Sequence, residues 1–301
     1  MIIFRIKGGL GNQIFQYAAA YQYAKKHQTG TSLDLSFYDD IKFKDQFKLD
    51  KFRTTFDTKK LNHSEKVNSG LLSRFNQFMY KRSTYWRFPG QYVISVDSLD
   101  NCIWKLDNLS EKHEYVIEGW LQKTQFFKHV KEDLSDLLWL KPKYIPIKEI
   151  TSRIVNSNSV AVHIRRGDME KNSSFITLGR DYYIKALEVI KKKVENPLFF
   201  VFSDEPDKAK TLLNDITDLN YVTDFSEPMG YYGTSGDYID FYLMRLCRHY
   251  IIANSTFSWW PAYLNNTERK VVISPEVWYN IRILQDRLLD SGLLVDNWIK
   301  L

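Results

Sequence analysis

Residues 159–168 read Ser-Val-Ala-Val-His-Ile-Arg-Arg-Gly-Asp. Ser159 to Ile164 is a short run rich in β-branched residues, the mark of a buried strand, and it stops in a cluster of polar and charged side chains. Downstream, Arg180 to Val194 sets Tyr183, Leu187, Ile190 and Val194 on one helix face. The same reading predicts strands at Pro197 to Phe202, Asn220 to Thr223, Tyr250 to Ala253 and Lys270 to Ser274. Helices are expected between them at Asp207 to Leu213, Tyr238 to Cys247 and Ser255 to Leu264. Strand and helix alternate throughout, which predicts a parallel sheet covered by helices on both faces.

The first half opens in the same way, with a strand at Ile2 to Ile6, a helix at Asn12 to His27 and a strand at Thr31 to Leu35. From Tyr38 to Arg87 the pattern loses any firm period. It returns with a strand at Tyr115 to Leu121 and a helix at Thr124 to Trp139. Prolines interrupt helix in Lys141-Pro-Lys-Tyr-Ile-Pro146, the best linker candidate. The expected fold is therefore α/β, with two domains, 1–146 and 147–301, facing each other across a cleft.

Composition bounds the function. A chain of 301 residues with 44% apolar content can bury one large core or two, which argues against disorder. The net charge of +6 suits an anionic partner: nucleic acid, an acidic membrane surface or a small phosphorylated ligand. Cys102 and Cys247 lack CxxC spacing and read as reduced. No apolar run approaches the length needed to span a bilayer, and no cleavable signal pattern opens the chain, so a cytoplasmic location is expected.

Four stretches can carry chemistry. Lys7-Gly-Gly-Leu-Gly-Asn-Gln13 joins a strand to a helix at the carboxyl edge of a sheet, where glycines let backbone approach a ligand. Its spacing is neither the dinucleotide fingerprint nor a P-loop, and a tight turn capped by Asn12 would also need glycine. In the second stretch, His163 and Arg165 share one strand face while Arg166 starts on the other. Arginine offers a fork of donors suited to a diphosphate and His163 one more hydrogen bond; an Arg166–Asp168 ion pair is the structural alternative. Third, Asp204 ends the strand before Pro206, placed either to accept from a guanine edge or ribose hydroxyl or to cap the next helix. Fourth, in Asn254-Ser-Thr-Phe-Ser258 a strand stops and a helix starts at once. Ser255, Thr256 and Ser258 are thus N-terminal donors to an anion, and Phe257 packs on a base or sugar or in the core. No Asp-x-Asp occurs in the chain, which speaks against a metal-bridged nucleotide-sugar site, and His63, His113, His129 and His249 lack zinc-ligand spacing.

Taken in order, Gly8-Gly-Leu-Gly-Asn-Gln13, His163-Ile-Arg-Arg-Gly-Asp168, Phe202-Ser-Asp204 and Asn254-Ser-Thr-Phe-Ser-Trp-Trp260 resemble the bacterial α-1,2-fucosyltransferases of glycosyltransferase family 11. The likeness runs from Ile2 to about Trp278. It implies a GT-B-like fold of two Rossmann-like domains, with GDP-β-L-fucose on the C-terminal one and a galactose-terminated acceptor on the N-terminal one. The implied reaction places fucose on the 2-hydroxyl of galactose with inversion and needs no cofactor or metal. Separately, a surface-polysaccharide pathway would put the acceptor on a lipid carrier at the inner face of a membrane, where the positive charge suits peripheral attachment. Arg165 would bind the β-phosphate with His163 and Arg166 beside it, and Ser255, Thr256, Phe257 and Ser258 would line the diphosphate. Asp204 would hold the nucleoside, while the loop carrying Gly9, Gly11 and Asn12 closes on the fucose. Asp168 is the first candidate for a general base and Glu118 the second. Two readings from other classes stand beside this one: a basic nucleic-acid-binding protein, motivated by the charge and by Lys191 to Lys193, and a glycan-binding protein without catalysis.

Overall fold

A computed structural model describes residues 1–43, 46–59, 85–88, 91–95, 113–145, 148–225 and 236–301. Cys102, His63, Pro146 and most of Tyr38 to Arg87 lie outside the described residues. By its own contacts the chain divides into two compact units, residues 1–50 with 54–131, and 51–53 with 132–301.

The first unit is built on a six-stranded sheet of order β3-β2-β1-β6-β5-β4. Its strands are β1 (Ile2–Arg5), β2 (Thr31–Asp34), β3 (Asp57–Thr58), β4 (Tyr85–Phe88), β5 (Gln91–Ser95) and β6 (Glu114–Glu118). All neighbours are parallel except β4 and β5. Helix α1 (Leu10–His27) follows β1 and buries Ile14, Phe15, Ala18 and Ala20. Each large apolar side chain fully removed from water contributes roughly 1.5–3 kcal/mol, so this face fixes the helix on the sheet. The expected helix over Thr124 to Trp139 is replaced by two single turns and a short α2 (Lys131–Leu137). Phe127 is the reason: it leaves helical geometry, at φ −150° and ψ −3°, to bury its ring edge-on against Phe15 at 5.4 Å.

The second unit holds a six-stranded sheet of order β12-β11-β10-β7-β8-β9 with every pair parallel. After α3 (Lys148–Val155) come β7 (Asn158–Ile164), α4 (Arg180–Lys193), β8 (Pro197–Ser203), α5 (Pro206–Leu212) and β9 (Leu219–Tyr221). Then follow α6 (Asp237–Leu246), β10 (His249–Ile251), α7 (Thr256–Leu264), β11 (Val272–Ser274), α8 (Arg282–Leu289) and β12 (Ile299–Lys300). Alternation along β7 sorts its faces: Val160, Val162 and Ile164 pack with Tyr183, Leu187 and Ile190 of α4, while His163 faces the opposite layer. Lys141 to Ile145 lies within this unit. Phe52 bridges Leu140 in antiparallel fashion and meets Phe241 edge-on at 5.4 Å, which draws residues 51–53 out of the first unit's contacts and into the second's.

In both sheets strand order reverses beside the first strand of the unit, between β1 and β6 and between β7 and β10. Such reversals leave a crevice at the carboxyl ends of the strands, and all four motif stretches end there or next to it.

Candidate active site

The second crevice is organised around Arg165. Its Nε donates to Asp168 Oδ1 at 2.8 Å and stands 3.3 Å from Asp204 Oδ2. Both carboxylates thus hold one nitrogen, and no described residue bonds the terminal Nη groups, which leaves the guanidinium fork for a ligand. Burial works against the Arg165 charge, but Asp168, Asp204 and Asp237 outweigh it and keep the group cationic. For Asp168, burial pushes the carboxyl up, yet the hydrogen bond and charge of Arg165 leave it below its ordinary value.

The ion pair offered from sequence as the structural alternative forms with a different partner. Arg165, not Arg166, takes Asp168, because the turn after β7 folds back over three residues. Arg166 reaches Glu170 instead, at 3.7 Å. Asp204 does not cap α5; its oxygens accept from the backbone N–H groups of Arg166 and Gly167, each at 2.9 Å. A Cβ on Gly167 would stand 2.7 Å from Asp204 Oδ2, so this turn admits only glycine beside the carboxylate. The site therefore has a clamp across two strand ends, β7 and β8.

Beneath the clamp lies a buried layer. His163 is 2% exposed, its Nδ1 is 2.8 Å from Ser258 Oγ, and Phe257 packs against its ring at 5.5 Å. Burial, aided by the Arg165 charge, drives the imidazole down to about 3, so it is neutral at physiological pH. Ser258 is fully buried and spent on this contact, and Ser255 caps α7 by accepting from Phe257 N at 3.3 Å. Asn254 is tied to the Ile176 and Trp278 carbonyls. Among the expected anion donors, Thr256 is half-buried where Ser255 and Ser258 are buried.

Sequence reading passed over Asp237 and Asp240, three apart on α6. Asp240 is raised to about 8 by burial and by Asp237, and Asp237 also acts on Arg165. An Asp-x-x-Asp at the start of a predicted helix was the available signal.

In the first unit, Gly8 is the glycine the loop demands: its φ is +78°, and an added Cβ would stand 3.0 Å from Asn12 Nδ2 and 3.1 Å from Trp120. Gly9, by contrast, has open space around it, and Gly11 is buried within α1. Two buried glutamines of α1 fix the loop backbone. Gln16 Oε1 accepts from Lys7 N at 2.8 Å, and Gln13 Nε2 donates to the Gly8 carbonyl at 2.9 Å. Asn12 does not take the capping place expected of it: Gly9 is the first flanking residue, and Asn12, inside the helix, accepts from Gln122 Nε2 at 2.8 Å. Glu118, the second base candidate, is held by Arg5 at 3.0 Å and by Lys7 at 3.6 Å.

Among the described residues no helix is long and apolar enough to cross a membrane, and no three His, Cys, Asp or Glu side chains are grouped so as to hold a metal ion. The family model described as glycosyl transferase family 11 matches residues 97–300. The chain is 30% identical to an alpha-1,2-colitosyltransferase of Escherichia coli over 305 residues, covering 100% of this chain and 99% of that protein. It is also 30% identical to the O-antigen biosynthesis glycosyltransferase WbnK of Escherichia coli, covering 98% and 99% respectively. A galactoside 2-alpha-L-fucosyltransferase, SEC1 of Bos taurus, is 25% identical over 86% of this chain and 62% of that one. Among solved structures, NodZ alpha-1,6-fucosyltransferase co-crystallized with GDP aligns with a TM-score of 0.46 at 17% identity, over 86% of this chain and 91% of that one.

Proposed function

Because the chain belongs to glycosyltransferase family 11, we propose that it moves L-fucose from GDP-β-L-fucose to the 2-hydroxyl of a terminal galactose, with inversion and without a metal. The observation that carries this reading is Arg165: a cation clamped through Nε by two carboxylates, with its fork presented at a strand end next to the N-terminus of α7. In the reaction the acceptor hydroxyl oxygen attacks the anomeric carbon, the hydroxyl proton passes to solvent, and the bond to the β-phosphate oxygen breaks with its electron pair leaving on GDP. A prepositioned guanidinium and helix-end N–H groups stabilise that developing charge. His163, neutral and buried, supports the floor of this site rather than adding charge.

Asp168 is engaged by Arg165 and held low, so it is a weak proton acceptor; its part in this reading is to aim the guanidinium. Asp204, engaged by two backbone amides, sets the turn that carries Arg165 and Arg166. The second unit takes the donor and the first unit the acceptor. Work in the cytoplasm on a surface-polysaccharide acceptor, with the net charge of +6 favouring the inner face of a membrane, completes the reading.

The test is GDP release from GDP-fucose in EDTA, with and without lactose, followed by linkage analysis of the product. Acceptor-dependent release with fucose on the galactose 2-hydroxyl is expected. Release abolished by EDTA and restored by a divalent ion would overturn metal independence. A colitosyl donor is the second reading, favoured by the 30% identity to the colitosyltransferase; a competing donor pair in the same assay separates the two.

A further inference from the structure

Strand β6 ends at Glu118 and the chain continues into Gly-Trp-Leu-Gln122, where Leu121 takes φ +54°, a left-handed geometry that costs a branched side chain about 1–2 kcal/mol. Backbone strain of this kind persists only where the surroundings enforce it. Here its result is visible: Leu121 is driven inward to 3% exposure, while Trp120 is left 40% exposed at the crevice. The indole is not a loose surface group. Lys7 Nζ stands 4.7 Å from its centroid, and its Cζ3 would lie 3.1 Å from a Cβ on Gly8, so glycine at that position makes room for the ring.

The polar groups around it are of one kind. The Gln122–Asn12 amide pair lies on one side, and the Glu118 carboxylate, held by Arg5 and Lys7, on another. Arg5 in turn binds Asp34 at 2.9 Å, so the four charged groups pair among themselves and the ligand favoured is an uncharged one. Carboxamides and a fixed carboxylate suit vicinal hydroxyls, and a flat indole suits the apolar C–H face of a pyranose. In β-galactose the axial 4-hydroxyl leaves H3, H4 and H5 together on one such face.

We propose that Trp120 is the stacking platform for the acceptor sugar, with Gln122 and Glu118 accepting its hydroxyls. Trp120 is thus a binding and specificity residue, and the identity of that sugar as galactose rests on the function proposed above.

The experiment compares wild type with Trp120→Ala and Trp120→Phe. In the transfer assay Trp120→Ala should raise the lactose KM by about tenfold or more, with Trp120→Phe close to wild type, because a phenyl ring restores the face. GDP release without acceptor, which reads donor use alone, should change by far less than the lactose KM in both. An unaltered lactose KM in folded Trp120→Ala, or a loss that falls on donor use instead, overturns the proposal.

A second measurement separates this from failure of the donor assignment: saturation-transfer NMR of methyl β-galactoside with the enzyme alone. Enhancement at H3, H4 and H5 that disappears in Trp120→Ala supports the platform even if GDP-fucose is not the donor. No enhancement in wild type, or equal enhancement in the variant, overturns it.

Discussion

The two sheet crevices share a topology and differ in what they place there. After β7, two carboxylates and two backbone amides lock a turn so that a guanidinium points outward. After β1, two buried glutamines and the Tyr38 hydroxyl, which donates to the Gly8 carbonyl at 2.8 Å, lock a glycine loop beside an exposed indole. The turn after β7 is held by carboxylates, and the loop after β1 by neutral amides and a phenol. The difference teaches that fixing backbone and presenting charge are separable tasks: both loops are held from below, but only one is built for an anion.

The largest expected effect follows from the guanidinium itself. Arg165→Ala should lower kcat about 10²- to 10³-fold, the size seen when one preorganised donor to a leaving charge is removed. Lysine at 165 should recover little, since a point charge cannot reproduce both the Nε clamp and the outward fork. Steady-state GDP release on folded protein checks both, and near-normal turnover of Arg165→Ala would erase the contrast between the crevices.

Next in size is the clamp. Gly167→Ala puts a Cβ 2.7 Å from Asp204 Oδ2, so either the turn or the carboxylate must move. Overpacking of this kind costs about 1–3 kcal/mol. Thermal denaturation should register that loss, and kcat should fall with it because Arg165 loses one of its two supports. Gly9→Ala, at a position with open space, is the control expected to leave stability within about 0.5 kcal/mol.

These paired glycines also show where sequence reading works. The strand–helix alternation follows from apolar periodicity, and the four motif stretches from glycines and polar residues at the strand ends; both signals are local. What was not legible depends on geometry over several residues. Arg165 and Arg166 are adjacent, and only the turn decides which one reaches Asp168. Gly8, Gly9 and Gly11 are alike as letters, and only a φ of +78° singles out Gly8. Helix α8 and the short strand β12 carry too few periodic residues to be found, and Phe127 broke a helix that its neighbours' spacing predicted, because an aromatic contact outweighed local propensity. Ser258 looked like an anion donor from its place at a helix start, yet the ring of His163 had taken it inward.

That last contact gives the smallest and most specific effect. His163 titrates at about 3 in the folded chain against 6.5 when free, so the unfolded state binds a proton that the folded state does not. Stability on this account is fully present above pH 6.5 and is lost as pH falls from there toward 3, at up to about 1.4 kcal/mol per pH unit. Asp240 has the opposite sense: its carboxyl is raised to about 8, so the stability it contributes is present below its free value and is lost as pH rises toward 8. Between about pH 4 and 6.5 the two slopes offset each other. Denaturant titrations of wild type, His163→Asn and Asp240→Asn separate them. The first variant should hold its stability better than wild type on going from pH 6.5 to 5, and the second on going from pH 6.5 to 8. Identical pH profiles for His163→Asn and wild type would mean that the imidazole titrates in the folded chain as it does when free, so that below pH 6.5 the floor beneath Arg165 would carry a charge that repels it.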